Sequence, residues 1–399
     1  MEWVSERAKR IKSSPTLALA AKAKEMASTG KDVISLSVGE PDWPTLEVAS
    51  RAAISAIQNG FTKYTPANGT PEIRKAISKA LQEETGQLYS DSEVTVTAGG
   101  KFTIFSALHA VLNEGDEVII PAPYWVSYPT MVEMLSAVPV IPTCSAGDGF
   151  KLNGENLKKH LTSKTKMLIL NSPSNPTGAA YSEAELRALA AVLKAVPQAL
   201  ILSDDIYNRL MFDGSIAPHI LKVAPELRER TLVINGASKS FSMTGWRVGW
   251  AAGPAAVIKA MNNYQSQTVS CAAGPSLEAA RSALESGAPE LKKAIGLLVE
   301  RLEFCMGLCR TIPRVRVDRP HGAFYLWMDV SQTFGKSSQT GVIRNSSDFS
   351  SRLLEEKLVA VVPGVEFGAE GFVRLSFALK QSRMEEALRR IADFTEKLI

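Results

Sequence analysis

Cysteine, histidine and long apolar runs are all scarce in this chain. It has 4 cysteines and 4 histidines in 399 residues. Cys305 and Cys309 stand one helical turn apart with no histidine at metal-ligand spacing, so they read as core packing and not as a metal or redox pair. Cys144 and Cys271 stand alone. Free thiols fit a reducing cytosol, and a cytoplasmic location is expected. His109, His160, His219 and His321 are scattered, form neither a triad nor a metal set, and read as structural. No apolar run approaches the roughly 18 residues of a membrane span. Met1 to Arg7 lacks the basic start and apolar core of a signal peptide, so none is expected. Charge of one sign is missing too: 45 Lys and Arg are interspersed with 41 Asp and Glu, for a net charge of +4, which argues against a nucleic-acid partner. No G-x-G-x-x-G follows a strand and no Walker spacing occurs, which disfavours a nicotinamide dehydrogenase or a P-loop enzyme.

What is present is an alternation of periods. Apolar runs at 94–97, 117–120, 138–142, 166–170, 199–202 and 231–234 read as strands. Helical patterns lie between most of them, at 100–112, 126–136, 155–161 and 182–195. Strands separated by helices predict an α/β fold, a mainly parallel sheet covered on both faces. The chain exceeds the size at which one core keeps growing, so a second domain is expected. We expect a large domain over 46–288 and a small one made of 1–45 with 289–399. The small domain reads as an α+β module: a strand at 33–38, a helix from Pro289 to Cys309, strands at 323–329 and 372–377, and helices at 348–357 and 382–397. Ser331–Ser347 is polar and reads as a flexible surface loop. Thr70 and Pro71 read as the cap and first turn of a helix.

Ligands of such sheets gather at the carboxyl ends of the strands, and several chemically useful residues fall there. Lys239 follows the run 231–234 among small and apolar neighbours, where poor solvation lowers an amine's pKa and frees it to form a Schiff base with a carbonyl. Arg247, eight positions later, offers a fork of donors suited to phosphate. A carbonyl compound that carries a phosphate is pyridoxal phosphate (PLP). Gly99, Gly100 and Lys101 open a helix after a strand, a site for an anion. Asp204 follows a third strand and can face a pyridine nitrogen, although an acid there, like Asp205, also suits a turn or helix cap. Tyr207 and Asn175 can reach a ring oxygen; Asn175 equally suits a plain turn, and its bond to Pro176 is a candidate for the cis form. Trp125 can stack on a ring or fill a core. Arg374, alone in an apolar strand, needs an anion, from the protein or from a ligand. Gly39 can offer a bare N–H or simply turn the chain.

Asn175-Pro176-Thr177-Gly178, Ser203-Asp204-Asp205-Ile206-Tyr207, Ser238-Lys239 and Met243-Thr244-Gly245-Trp246-Arg247 with Gly249 occur in the order and at the spacings of one family. Over essentially its full length the chain resembles the class I aminotransferases of the fold-type I PLP enzymes. The bacterial-type aspartate aminotransferases, including those that also use prephenate, are most similar, through Lys12-Ser13-Ser14-Pro15-Thr16, Gly99-Gly100-Lys101 and Pro123-Tyr124-Trp125-Val126-Ser127-Tyr128-Pro129. The resemblance implies a seven-stranded large domain and PLP held by Lys239. It implies Asp204 at the ring nitrogen, Tyr207 and Asn175 at the ring oxygen, and Trp125 on the ring. Gly99, Gly100, Lys101, Ser238 and Arg247 would surround the phosphate. Tyr64 would reach the phosphate of a neighbouring subunit, which implies a homodimer with shared sites. Gly39 and Arg374 would hold the substrate α-carboxylate, with Trp125 and Asn175 beside it. Lys101 and Thr16 would lie near the distal carboxylate, and Lys12 would bear on prephenate.

The expected activity is therefore amino transfer between an L-amino acid and a 2-oxo acid. Aspartate with 2-oxoglutarate is preferred, and prephenate is a further acceptor of the subgroup. The alternatives are a carbon–sulfur β-lyase or an aminotransferase for alanine or aromatic amino acids. A PLP-fold transcription regulator would need a DNA-binding domain that residues 1–30 are too short to supply. No metal and no membrane partner are expected.

Overall fold

A strand that is apolar on both faces can be satisfied only inside a covered sheet. In the computed structural model, which describes residues 3–9, 11 and 15–399, the six predicted strands of the large sheet are joined by a seventh. Their spatial order is Val94–Thr97, Gly249–Ala252, Thr231–Gly236, Leu200–Asp204, Thr165–Asn171, Glu117–Ile119, Val138–Val140. The five strands from Thr231–Gly236 to Val138–Val140 are parallel, and Gly249–Ala252 runs antiparallel to both of its neighbours. Val96, Val118, Leu168, Ile201 and Val233 are fully buried, each worth about 1.5–3 kcal/mol of hydrophobic stabilisation. The seven-stranded α/β fold expected above is the one observed. Gly249–Ala252 was not read as a strand because Gly-Trp-Ala-Ala lacks a β-branched run. The helices Ala255–Ser266 and Gly274–Ser286 likewise extend the reading.

The parallel register sets Asn171 opposite Asp204 and Asp204 opposite Ile234. Three segments therefore leave the sheet side by side, at its carboxyl edge. A second, antiparallel sheet is built from Val362–Pro363, Phe372–Ser376, Tyr325–Asp329 and Arg316–Val317. The predicted strand at 33–38 shortens to Ile34–Ser35, which pairs in parallel with Val359–Ala360 and so ties the N-terminal segment to the C-terminal one. The helix Ala288–Cys309 carries Cys305 and Cys309 on its buried side, and all four cysteines are free.

Three local expectations are corrected. Residues 331–347 hold a short 3-10 turn, Ser331–Thr333, and a two-stranded ribbon. Ser337 and Ile399 exchange backbone hydrogen bonds and Arg352 holds the Val342 carbonyl, so this polar stretch is a pinned hairpin. Among the described residues the cis peptides are Ser172–Pro173 and Ala122–Pro123, not Asn175–Pro176. Thr70 occupies the cap position of Pro71–Thr85, but its side chain makes no capping bond.

The seventh strand also sets the position of a helix start. A Cβ on Gly249 would stand 2.5 Å from the Gly100 nitrogen and 2.6 Å from Thr103 Oγ1, so strand and helix touch through a bare backbone. Gly249→Ala should lose about 1–3 kcal/mol of stability, the range for overpacking. Urea denaturation checks this, and an unchanged midpoint would contradict the contact.

Candidate active site

The strand ends open into a cavity of about 530 Å³ between the two sheets. Of the residues singled out above, Gly39, Gly100, Lys101, Trp125, Asn175, Asp204, Tyr207, Ser238, Lys239, Arg247 and Arg374 all line it. Four cationic side chains there, Lys101, Lys239, Arg247 and Arg374, face two carboxylates, Glu40 and Asp204. The excess of positive charge suits ligands that carry phosphate and carboxylate groups.

Lys239 leads a tight loop closed by Arg247, and the backbone is left-handed at Ser242 and Arg247. Thr45 Oγ1 donates to the Ser242 carbonyl at 2.8 Å, and Trp246 Nε1 donates to Thr45 Oγ1 at 2.9 Å. Ser242 and Thr244 are also bonded to Trp43 and Glu40, so the segment 40–45 straps the lysine loop down. Burial brings the Lys239 amine down to about 8, opposed by the charge of Glu40. Its Nζ donates to the Gly39 carbonyl at 2.5 Å.

Asp204 is buried, and desolvation lifts its carboxyl to about 6. Hydrogen bonds from Tyr128 and the Ile206 amide restrain that rise, and the neighbouring Asp205 adds to it. Asp205 turns elsewhere, accepting from Ser203 Oγ at 2.7 Å and facing His219 Nε2 at 3.2 Å. Of the two acids, only Asp204 faces the cavity.

The anion cradle is legible in its steric detail. Gly99 has φ +92°, and a Cβ there would lie 2.5 Å from Arg247 Nη2, so the guanidinium occupies the space of the missing side chain. The first-turn amides of Gly100 and Lys101 have no intrahelical carbonyl to bind. Ser238 lines the cavity with them. Lys101 Nζ lies 5.0 Å from the centre of the Trp125 ring, and partial burial, then the Arg247 charge, lowers its pKa.

Arg374 is 2% exposed and has only neutral partners: Asn175 Oδ1 at 2.9 Å and the Ser37 carbonyl at 2.6 Å. Its Nε bonds nothing, and among the described residues no carboxylate pairs with it. The structural ion pair weighed from the sequence is not formed. A buried cation without a counter-charge is costly and awaits an anion.

Tyr64 lies outside the cavity and is 91% exposed. Lys12 lies outside the described residues; Thr16 belongs to the helix Pro15–Ser28, which places Ala20 on the cavity wall, and its side chain is outside the description. Sequence reasoning overlooked Tyr128, Tyr325, Asn171 and Glu40. Tyr128 stands three residues after Trp125, a helical spacing that could have flagged it. Tyr325 gives no such signal, since an aromatic in an apolar strand reads as core.

The donor set fits PLP: an amine with a depressed pKa, a buried carboxylate, an indole, and an anion cradle that a Cβ at 99 would fill. The family model described as aminotransferase class I and II matches residues 31–391. The chain is 44% identical to an aspartate/prephenate aminotransferase of Cereibacter sphaeroides over 99% of both chains, and 42% identical to one of Nitrosomonas europaea over 98% of both. Among solved structures, the aspartate aminotransferase of Rhizobium meliloti superposes with a TM-score of 0.96 at 41% identity, covering 100% of both chains. That of Thermus thermophilus with maleate gives 0.91 at 38% identity, covering 99% of this chain and 100% of its own.

A carboxyl held near 6 in the folded chain and near its ordinary 3.8 in the unfolded one costs about 3 kcal/mol at neutral pH. The folded chain binds the extra proton, so stability is regained as the pH falls from 6 toward 4. Cofactor-free Asp204→Asn should therefore melt above cofactor-free wild type at about pH 7.5, with the gap closing below about pH 4. Equal melting temperatures at about pH 7.5 would refute the assigned burial cost.

Proposed function

This chain belongs to the class I and II aminotransferases, and we propose that it moves the amino group of L-aspartate to 2-oxoglutarate, with prephenate as a further acceptor. The observation that carries the proposal is that, once Lys239 and Arg247 are given to the cofactor, two cavity cations without carboxylate partners among the described residues remain, Arg374 and Lys101. A dicarboxylic substrate satisfies both, whereas alanine or an aromatic donor satisfies Arg374 alone. The relatives named aspartate/prephenate aminotransferase support the same reading.

When bound, PLP supplies an electrophilic carbonyl carbon and a protonated ring that takes up the electron pair of the breaking Cα–H bond. Asp204, an anion at neutral pH, would hold the ring nitrogen's proton, and the Tyr128 hydroxyl steadies the carboxylate. The backbone amides of Gly100 and Lys101, with Ser238 and Arg247 and with Gly99 leaving them room, would hold the phosphate, and Trp125 would cover the ring. Tyr207 and Asn175 address the ring oxygen. Arg374, braced by Asn175, fixes the substrate α-carboxylate beside Gly39, and Lys101 with Thr16 meets the distal carboxylate; Lys12 bears on prephenate. So oriented, the substrate Cα–H would face Lys239 Nζ, whose neutral amine would accept that proton as a base and, once protonated, release it again as an acid.

The proposed units are a large domain over 46–288 and a small one of 1–45 with 289–399, supported by the pairing of Ile34–Ser35 with Val359–Ala360. A homodimer with shared sites is supported by the mounting of Tyr64. Its loop is held by Arg74 to the Gly69 carbonyl at 2.6 Å and by Thr65 to the Ala272 carbonyl, yet the ring itself is exposed. Among the described residues no helix is long and apolar enough to cross a membrane, and the free thiols support a cytoplasmic setting.

Lys239→Ala should lose at least about 10²–10⁴-fold in transamination rate, the range for a positioned proton carrier. Single-turnover absorbance measures it, and full turnover by the variant would end the scheme. Lys101→Ala should cut the preference for aspartate over alanine, as a ratio of kcat/KM values, by about 10–100-fold, the worth of one hydrogen bond to a charged group. An unchanged ratio would remove Lys101 from the distal pocket.

A further inference from the structure

Tyr325 lies in the strand Tyr325–Asp329, fully buried from outside yet on the cavity wall. It touches three groups that belong to different tasks. Its hydroxyl is 2.7 Å from that of Tyr207. Its ring face lies 4.6 Å from the guanidinium carbon of Arg374, and its hydroxyl occupies the place where a side chain on Gly39 would project. The antiparallel register pairs Tyr325 with Ser376 and Trp327 with Arg374, so this sheet holds the ring and the guanidinium on one frame.

We propose that Tyr325 is a positioning residue for the transamination, coupling the cofactor end of the site to the carboxylate end. Its hydroxyl donates to Tyr207, which leaves the Tyr207 proton free for the ring oxygen, while its ring face holds the Arg374 guanidinium toward the substrate carboxylate. The proposal rests on the aminotransferase reading above, with Tyr207 and Arg374 in the roles given there. The donor direction follows from the surroundings. Burial pushes the Tyr207 phenol well above its ordinary value, whereas the rise at Tyr325 is held back chiefly by the charge of Arg374. The Arg374 guanidinium over the Tyr325 ring draws electron density from that phenol, which makes its hydroxyl the better donor of the two. The ring contact matters because Arg374 has no counter-charge: an aromatic face is a partner for a buried cation that leaves its N–H groups free for a ligand. The Tyr325 ring packs on the rings of Tyr207 and Phe324, contacts that a phenylalanine at 325 would keep, so the hydroxyl is not a packing requirement.

The test uses PLP-loaded wild type, Tyr325→Phe and Tyr325→Leu, with maleate as the dicarboxylate probe. Two quantities are read: the pH at which the visible absorbance of the bound cofactor changes, and the Kd for maleate. A donor to the ring oxygen stabilises its anion, so weakening that donor moves the absorbance change to higher pH. Tyr325→Phe should raise it by about 0.5–1 pH unit, the worth of one hydrogen bond, and leave the maleate Kd within about twofold because the ring stays under Arg374. Tyr325→Leu should shift the absorbance similarly and weaken maleate about 3–30-fold, the range of a cation–π contact. If Tyr325→Phe titrates like wild type, or Tyr325→Leu binds maleate like wild type, the coupling role is overturned while the aminotransferase reading stands. A wild-type protein with no pH-sensitive visible band and no maleate binding would overturn that reading, and this proposal with it.

Discussion

An arginine with no anion of its own is the constraint on which the rest of the structure turns. Among the described residues, the buried Arg374 has only carbonyl oxygens and aromatic faces for partners. Nothing in the folded chain repays its lost hydration in full. Asp204 carries a similar burden of the opposite sign, buried and pushed toward its neutral form. These groups are tolerable because two well-packed sheets hold them, and useful because ligand charges complete them. Stability given up here is available as binding free energy for a carboxylate at one end and a protonated ring at the other.

The sheet explains how the parts meet. Parallel strands leave at one edge, and the register puts Asn171 beside Asp204. The antiparallel strand Gly249–Ala252 then returns the chain from Arg247 against the Gly99 turn, where the absence of side chains at 99 and 249 lets the backbones touch. The segment 39–45 closes the arrangement from above through Thr45, Trp43 and Glu40. Loop, strap and helix start are thus held by one another, which gives the flexible lysine side chain a single direction in which to reach.

Reading the chain without coordinates succeeded where a residue's chemistry contradicts its neighbourhood. A lysine among small residues, an acid after an apolar strand and an arginine inside one each stand out, and all three line the cavity. It failed where a residue agrees with its surroundings. Tyr325 in an apolar strand and Gly-Trp-Ala-Ala as a strand both look ordinary, and nothing local marks them. The polar stretch 331–347 misled in the other direction, because a ribbon stabilised by Arg352 and by Ile399, beyond the last helix, has no local hydrophobic signature.

What the amino-acid order determined by itself is the period of each element, the α/β alternation and the chemical types at the strand ends, because these follow from side-chain patterning and local backbone preference. What only the tertiary structure decided is which polar atoms face one another. That Asp204 meets Tyr128 while Asp205 meets His219, and that Arg374 meets Asn175 and the Ser37 carbonyl, depends on strand register and on contacts between residues up to 337 positions apart. Such pairings arise from packing two sheets against each other, and no window of sequence encodes the distance between them.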